Sequence, residues 1–272
     1  LVASWFTATQ SEFQASDHEI VLALDVSQSM LVEDGGPKKS RLAYAKEKIN
    51  ELVVQMPTAK WGLTVFAGET QSILPLTNDT SLFLTFLAGV DHRNLTKQGT
   101  QLIEAIRESS QRFDFTTTTK KTLLVISDGG DDTIIPDEKL KAFITSGAIQ
   151  VLVVGIGTNS GGPIPAGVDL FGNTLTKQRE NKTVISTLQE ESLRSLAESV
   201  GGTYYNGNDA LFDAIDKTII QGTQGLLVGG GVRTFLFRLG TLFFLGGVST
   251  QWINQTKRKK SFFAYFSRYE KK

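Results

Sequence analysis

Residues 23–30 read ALDVSQSM. Asp25, Ser27 and Ser29 stand at alternate positions at the end of an apolar run. In extended chain such positions face the same way, so the three side chains can converge. One carboxylate and two hydroxyls are hard oxygen donors, suited to magnesium, manganese or calcium. Two more groups would complete a shell. The stretch SDGG puts Asp128 after a second apolar run, and QGTQL puts Thr100 just before a helical pattern. A lone aspartate at a strand end is usually structural, and a threonine before a helix is usually an N-cap. D-x-S-x-S is more specific, and the three clusters in this order are specific together.

The elements that must position these groups follow from hydrophobic periodicity. Ile20–Asp25, Trp61–Ala67, Thr122–Ser127 and Ile149–Ile156 read as strands, several of them apolar throughout. Gln71–Leu76 reads as an antiparallel edge strand after Gly68, and Gly202–Tyr205 as a short strand. Helices are expected over 41–56, where Ser40 is the cap, and over 81–90, 100–113, 136–146, 190–200 and 208–220. The stretch 161–184 looks like an inserted pair of short strands rich in turn residues. Strands alternating with helices predict an α/β, Rossmann-like, doubly wound and mainly parallel sheet with one antiparallel edge strand and helices on both faces. Sites in such sheets form at the carboxyl ends of the strands, where Asp25 and Asp128 both fall.

The bulk composition excludes several functions. The 272 residues carry 28 Lys+Arg and 28 Asp+Glu, so no bulk charge points to nucleic acid. There are no cysteines, hence no disulfides, thiolate metal sites or cysteine nucleophiles. The two histidines, His18 and His92, lie far apart and read as surface or loop residues, which argues against a histidine zinc site. The stretch VGIGTNSG has the wrong spacing for a dinucleotide fingerprint. Asp131 and Asp132 read as solvent-facing, with a supporting role behind a metal shell as the alternative.

The C-terminal part differs in character. Residues 226–250 are dense in Phe and Leu and about long enough to cross a bilayer, although they contain Arg233 and Arg238. We read them as a transmembrane or membrane-associated helix in contact with lipid, with an interfacial segment as the alternative. Residues 251–272 form a basic tail with Lys257, Arg258, Lys259 and Lys260 in a row. By the positive-inside rule that tail is cytoplasmic, which puts the globular part on the opposite, periplasmic side.

The motifs DVSQSM, GT and SDG resemble the metal-ion-dependent adhesion site (MIDAS) of von Willebrand factor type A (VWA) domains, over residues 18–222. The resemblance implies that Asp25, Ser27, Ser29, Thr100 and Asp128 coordinate the ion, with one position left for a carboxylate from a partner protein. The longer stretches DVSQSMLVEDGGPKKSRLAYAKEKI, WGLTVFAGETQSILPLTND, GTQLIEAI and VGIGTNSGGPIP resemble the bacterial Bat proteins of aerotolerance operons. That resemblance implies an inner-membrane protein, with residues 1–17 following a missing membrane helix. It also implies partners such as a MoxR-type AAA+ ATPase or sister VWA subunits. The expected function is a non-enzymatic, membrane-anchored interaction or assembly subunit. A magnesium-dependent hydrolase and a scaffold with a vestigial site are the competing readings. Asp25→Ala is expected to abolish metal-dependent partner capture while the domain stays folded.

Overall fold

The computed structural model describes residues 18–36, 39–130 and 136–207. The expected N-terminal segment 1–17, the helix at 208–220, the apolar segment 226–250, the basic tail, and Asp131 and Asp132 all lie outside these residues. Among the described residues no helix is long and apolar enough to cross a membrane.

The chain runs β1 (His18–Asp25), α1 (Arg41–Gln55), β2 (Lys60–Phe66), β3 (Thr70–Thr77), α2 (Thr80–Gly89), α3 (Leu102–Ser110), β4 (Lys120–Ser127), α4 (Glu138–Ser146) and β5 (Ile149–Gly155). Six short strands follow: β6 (Gly162–Pro163), β7 (Pro165–Val168), β8 (Thr174–Thr176), β9 (Gln178–Arg179), β10 (Lys182–Thr183) and β11 (Ile185–Ser186). The last described elements are α5 (Glu190–Ser199) and β12 (Thr203–Asn206). The main sheet has six strands in the order β12-β5-β4-β1-β2-β3. Every neighbouring pair is parallel except β2 with β3, so the antiparallel edge expected from Gly68 is present.

Period-two alternation sends the two sides of each buried strand into different layers. Val21 and Ala23 of β1, Leu123 and Val125 of β4, and Val151 and Val153 of β5 share one core. Packed with them are Leu102 and Ile106 of α3, Leu140 and Ile144 of α4, and Leu193 and Leu196 of α5. Elsewhere α2 packs on β2, with the Trp61 and Phe83 rings 5.3 Å apart, and α1 lies against α2. Each such side chain contributes about 1.5–3 kcal/mol when fully removed from water. Ser40, Asp79 and Asp137 cap α1, α2 and α4, accepting from the backbone N–H of Ala43, Leu82 and Leu140.

Two expectations need correction. His18 is not a surface or loop residue: β1 starts two residues early, and the His18 ring is buried with Nε2 2.8 Å from Thr122 Oγ1. The region at 161–184 is not one pair of strands but three two-stranded ladders, β6 with β11, β7 with β8 and β9 with β10. Together they form an arm between β5 and α5. The β7–β8 hairpin exposes Leu170 and Phe171 at its tip. A composition rich in Gly, Pro and Thr marks turns well but does not say how many ladders fold back on one another.

Candidate metal centre

The chain leaves β1 for β2 on one side and returns to β4 on the other, so the sheet changes direction between β1 and β4. The crevice outside their carboxyl ends is where an open α/β sheet binds ligands. Register pairs Leu24 with Ile126, which brings Asp25 and Ser127-Asp128 to the same rim.

Asp25 is fully buried and acts through its neighbours. Its Oδ1 accepts from the Ser27 backbone N–H at 2.8 Å, and its Oδ2 accepts from Ser127 Oγ at 2.5 Å. These bonds fix the turn that carries the serines, which is not the extended stretch expected from their spacing but a 3-10 turn over Gln28–Leu31 capped at Ser27. Ser29 Oγ donates to Asp128 Oδ1 at 3.0 Å. With that proton committed, Ser27 Oγ donates to Ser29 Oγ, 2.8 Å away.

Thr100 comes from a different segment. The loop before α3 is anchored on the end of β2, where Gly68 N–H donates to Lys97 O and Gln101 N–H to Ala67 O. Only glycine allows this approach, because a Cβ at residue 68 would sit 2.3 Å from Gln98 O. Thr100 thereby reaches the β4 rim, with its Cβ 3.4 Å from where a Cβ on Gly130 would be. Ser27, Ser29, Thr100 and Asp128 all line one cavity of about 300 Å3, and Asp25 stands behind that lining.

Arg41, read from the sequence only as the first residue of a helix, is the largest omission. Its guanidinium is completely buried and binds three segments. It grips Asp34 through Nε at 2.6 Å and Nη2 at 2.8 Å, and ion-pairs with Asp128 Oδ2. It also donates to Ser186 Oγ and to Ser186 O, both at 2.9 Å. Asp34 in turn accepts from Thr158 N–H at 3.0 Å and Thr158 Oγ1 at 2.9 Å, so Arg41 ties the rim to the arm. Gly157, in the stretch VGIGTNSG, has a structural reason: at φ +130° it leaves room that a Cβ, 2.6 Å from Arg41 Nε, would take. The only local hint of Arg41's place is the acidic loop beside it.

The electrostatics follow from this wiring. Burial, and then the Asp128 charge, push Asp25 up to about 7. Burial also raises Asp128, against the opposing pull of Arg41 and the Ser29 hydroxyl. Asp34 lies below the usual carboxylate range: burial would raise it, but the hydrogen bonds and charge of Arg41 outweigh that. Asp128 thus shares the Arg41 charge with Asp34, whereas Asp25 has no ion pair among the described residues. Two carboxylates brought together with only a shared arginine between them disfavour the doubly ionised pair, and a divalent ion would relieve this.

The donor set fits a hard cation. Among the described residues there is no group of three or more His, Cys, Asp or Glu able to hold an ion. The oxygens here are instead three hydroxyls and a carboxylate on one cavity wall, with a second carboxylate behind it, which suits magnesium, manganese or calcium and not zinc. Asp25→Ala is a poor probe of such a site, because it also strips the buried partners of Ser27 N–H and Ser127 Oγ.

Residues 20–130 match the family model for the von Willebrand factor type A domain. The crystal structure of the conserved hypothetical protein BatB from Bacteroides thetaiotaomicron is 31% identical, with a TM-score of 0.68, over 76% of this chain and 99% of that one. An aerotolerance-related membrane protein from Bacteroides fragilis is also 31% identical, with a TM-score of 0.65, over 75% and 97% of the two chains. The PilB minor pilin from Streptococcus sanguinis, 14% identical over 80% of this chain and 64% of that one with a TM-score of 0.51, shares the fold alone. No curated protein matches this chain. With its sheet order, its rim and these relatives together, the chain belongs to the VWA-domain proteins of the bacterial Bat, aerotolerance-related family.

Proposed function

We propose that this chain is a membrane-anchored VWA module that captures a partner protein through a divalent cation held by Asp25, Ser27, Ser29, Thr100 and Asp128. The observation that carries the reading is the clustering of oxygens at one cavity: Ser27 and Ser29 Oγ 2.8 Å apart, Ser29 3.0 Å from Asp128, and Thr100 on the same wall. When bound, the ion supplies an electrophilic position for an anionic oxygen. Asp25 adds buried negative charge and holds the turn. Because Arg41, shared between Asp34 and Asp128, offsets part of the Asp128 charge, the rim offers less than two full charges to a divalent ion. A carboxylate from a partner completes the balance through a charge-assisted contact.

A binding role suits these side chains better than hydrolysis. Asp128 is engaged by Arg41 and Ser29, and Asp25 by Ser27 and Ser127, so neither faces the cavity free to accept a proton from water. Membrane attachment is supported by the Bacteroides fragilis relative, described as a membrane protein, and by the apolar run at 226–250. The basic residues after that run favour an inner-membrane topology with the VWA domain in the periplasm and the tail in the cytoplasm. Partners in this reading are a sister VWA subunit or a MoxR-type AAA+ ATPase presenting an acidic side chain.

Manganese binding to the full chain, followed by electron paramagnetic resonance, tests the site. One equivalent should bind, be displaced by magnesium and be lost in EDTA. The double substitution Ser27→Ala, Ser29→Ala should weaken it by about 10–100-fold. Unchanged affinity in that variant removes the site. Metal-dependent turnover of phosphate or carboxylate esters would move the reading to a hydrolase.

A further inference from the structure

The arm between β5 and α5 is more than a decoration, because its base forms part of the cavity. Ile164, Lys177, Val184, Ile185 and Ser186 all line the same space as Ser27, Ser29 and Asp128. Ile164 and Lys177 are the two feet of the β7–β8 hairpin, joined by Lys177 N–H to Ile164 O at 2.8 Å. Val184 N–H donates to Lys177 O at 2.8 Å, which sets the third stretch beside them. Lys177 is exposed, and its Nζ donates to Gln28 Oε1 at 3.0 Å. Gln28 lies between the two serines, so the arm reaches across to the D-x-S-x-S turn. Among the described residues Lys177 is the one cationic side chain in the cavity lining.

A glutamine carbonyl is a weak, neutral partner for an exposed ammonium. A carboxylate displaces it readily and adds charge. Beside Lys177, Val184 is half-buried and Ile185 is more than half exposed, with the buried Ile164 behind them. At about 300 Å3 the space is near the lower end for ligand sites and admits a few side chains of extended chain, not a folded element.

We propose that this arm is the specificity wall of the site, with Lys177 receiving a second carboxylate and Val184 and Ile185 receiving an apolar side chain. The ligand is therefore a short acidic–apolar protein segment with two carboxylates, one for the ion and one for Lys177. The inference rests on the metal-dependent reading above and adds to it the chemistry of the partner.

Two fluorescently labelled peptides separate the two claims, Ac-Glu-Leu-Asp-NH2 and Ac-Glu-Leu-Asn-NH2, titrated against the full chain in magnesium and in EDTA. In magnesium the first should bind about fivefold more tightly, the effect of one partly screened ion pair. Lys177→Gln should erase that preference and leave the asparagine peptide unchanged, and Lys177→Glu should reverse it. Ile185→Ser should weaken both peptides equally. A preference that survives Lys177→Gln, or an equal loss for both peptides in that variant, overturns the assignment of Lys177. Binding that ignores EDTA while the Lys177 preference holds overturns the metal reading and keeps the wall. Absence of binding by both peptides overturns both.

Discussion

The strand β1 carries a fully buried carboxylate near each end, Glu19 and Asp25, and the two are treated differently. Near the amino end, register sets Glu19 beside Lys60 on β2 and Lys121 on β4. The two ammonium groups lie 3.7 and 4.0 Å from its oxygens. Asp114 N–H and Thr117 Oγ1 complete the shell at 3.1 and 3.2 Å. At that end the buried acid has cations and hydrogen-bond donors of its own. At the carboxyl end Asp25 receives neutral donors, while the buried cation nearby, Arg41, is spent on Asp128 and Asp34. A cavity lined with hydroxyls stands alongside. Burial of an acid therefore does not identify a site. A buried acid short of cations beside open space does, since what burial costs must be offset by something that arrives later.

The sharpest way to break the comparison is Arg41→Met. It leaves Asp34 and Asp128 without their buried cation and should cost about 3–5 kcal/mol of stability in urea denaturation. Saturating magnesium should recover part of that loss, because the rim is where an added cation can act. Glu19→Gln, at the opposite end, should cost about 2 kcal/mol by leaving Lys121 poorly compensated, and magnesium should recover none of it. An equal response of both variants to magnesium would erase the distinction between the two ends.

The smallest effect belongs to His18, next to Glu19. Burial, and then the charge of Lys120, lower it to about 4 from 6.5, against a small opposing pull from Glu19. The unfolded chain therefore binds a proton that the folded chain refuses between those values. Stability from this group is complete above about pH 6.5 and falls as pH drops toward 4, by up to ~1.4 kcal/mol per unit. The gap in stability between the wild type and His18→Gln should narrow by about 1 kcal/mol between neutral pH and about pH 5.5. A gap independent of pH would mean that the ring is not held neutral.

Much of the fold was legible because it is local. Uninterrupted apolar runs at Ile20–Leu24 and Leu123–Ile126 could only be strands buried on both faces, and Ser40 announced α1. Gly68 announced the turn into the edge strand. His18 and Glu19 were missed as strand because a polar pair carries no apolar signal; their burial depends on Thr122, Lys60 and Lys121, which no window around residue 18 contains. Lys177 was missed for the same reason, since its place at the cavity comes from the way the arm folds back.

What the sequence determined alone was the oxygen chemistry: Asp25, Ser27 and Ser29 stand within five residues of one another at the end of a buried strand, although the chain joins them through a 3-10 turn and not through extended alternation. What only the tertiary structure decided was who shares that rim. Thr100 arrives through the contact at Gly68, Arg41 is drawn inside by two acids, and Ser186 is held from the far side of the arm. Proximity along the chain acts over a few residues, whereas charge compensation in a low-dielectric interior recruits groups from anywhere the packing brings near.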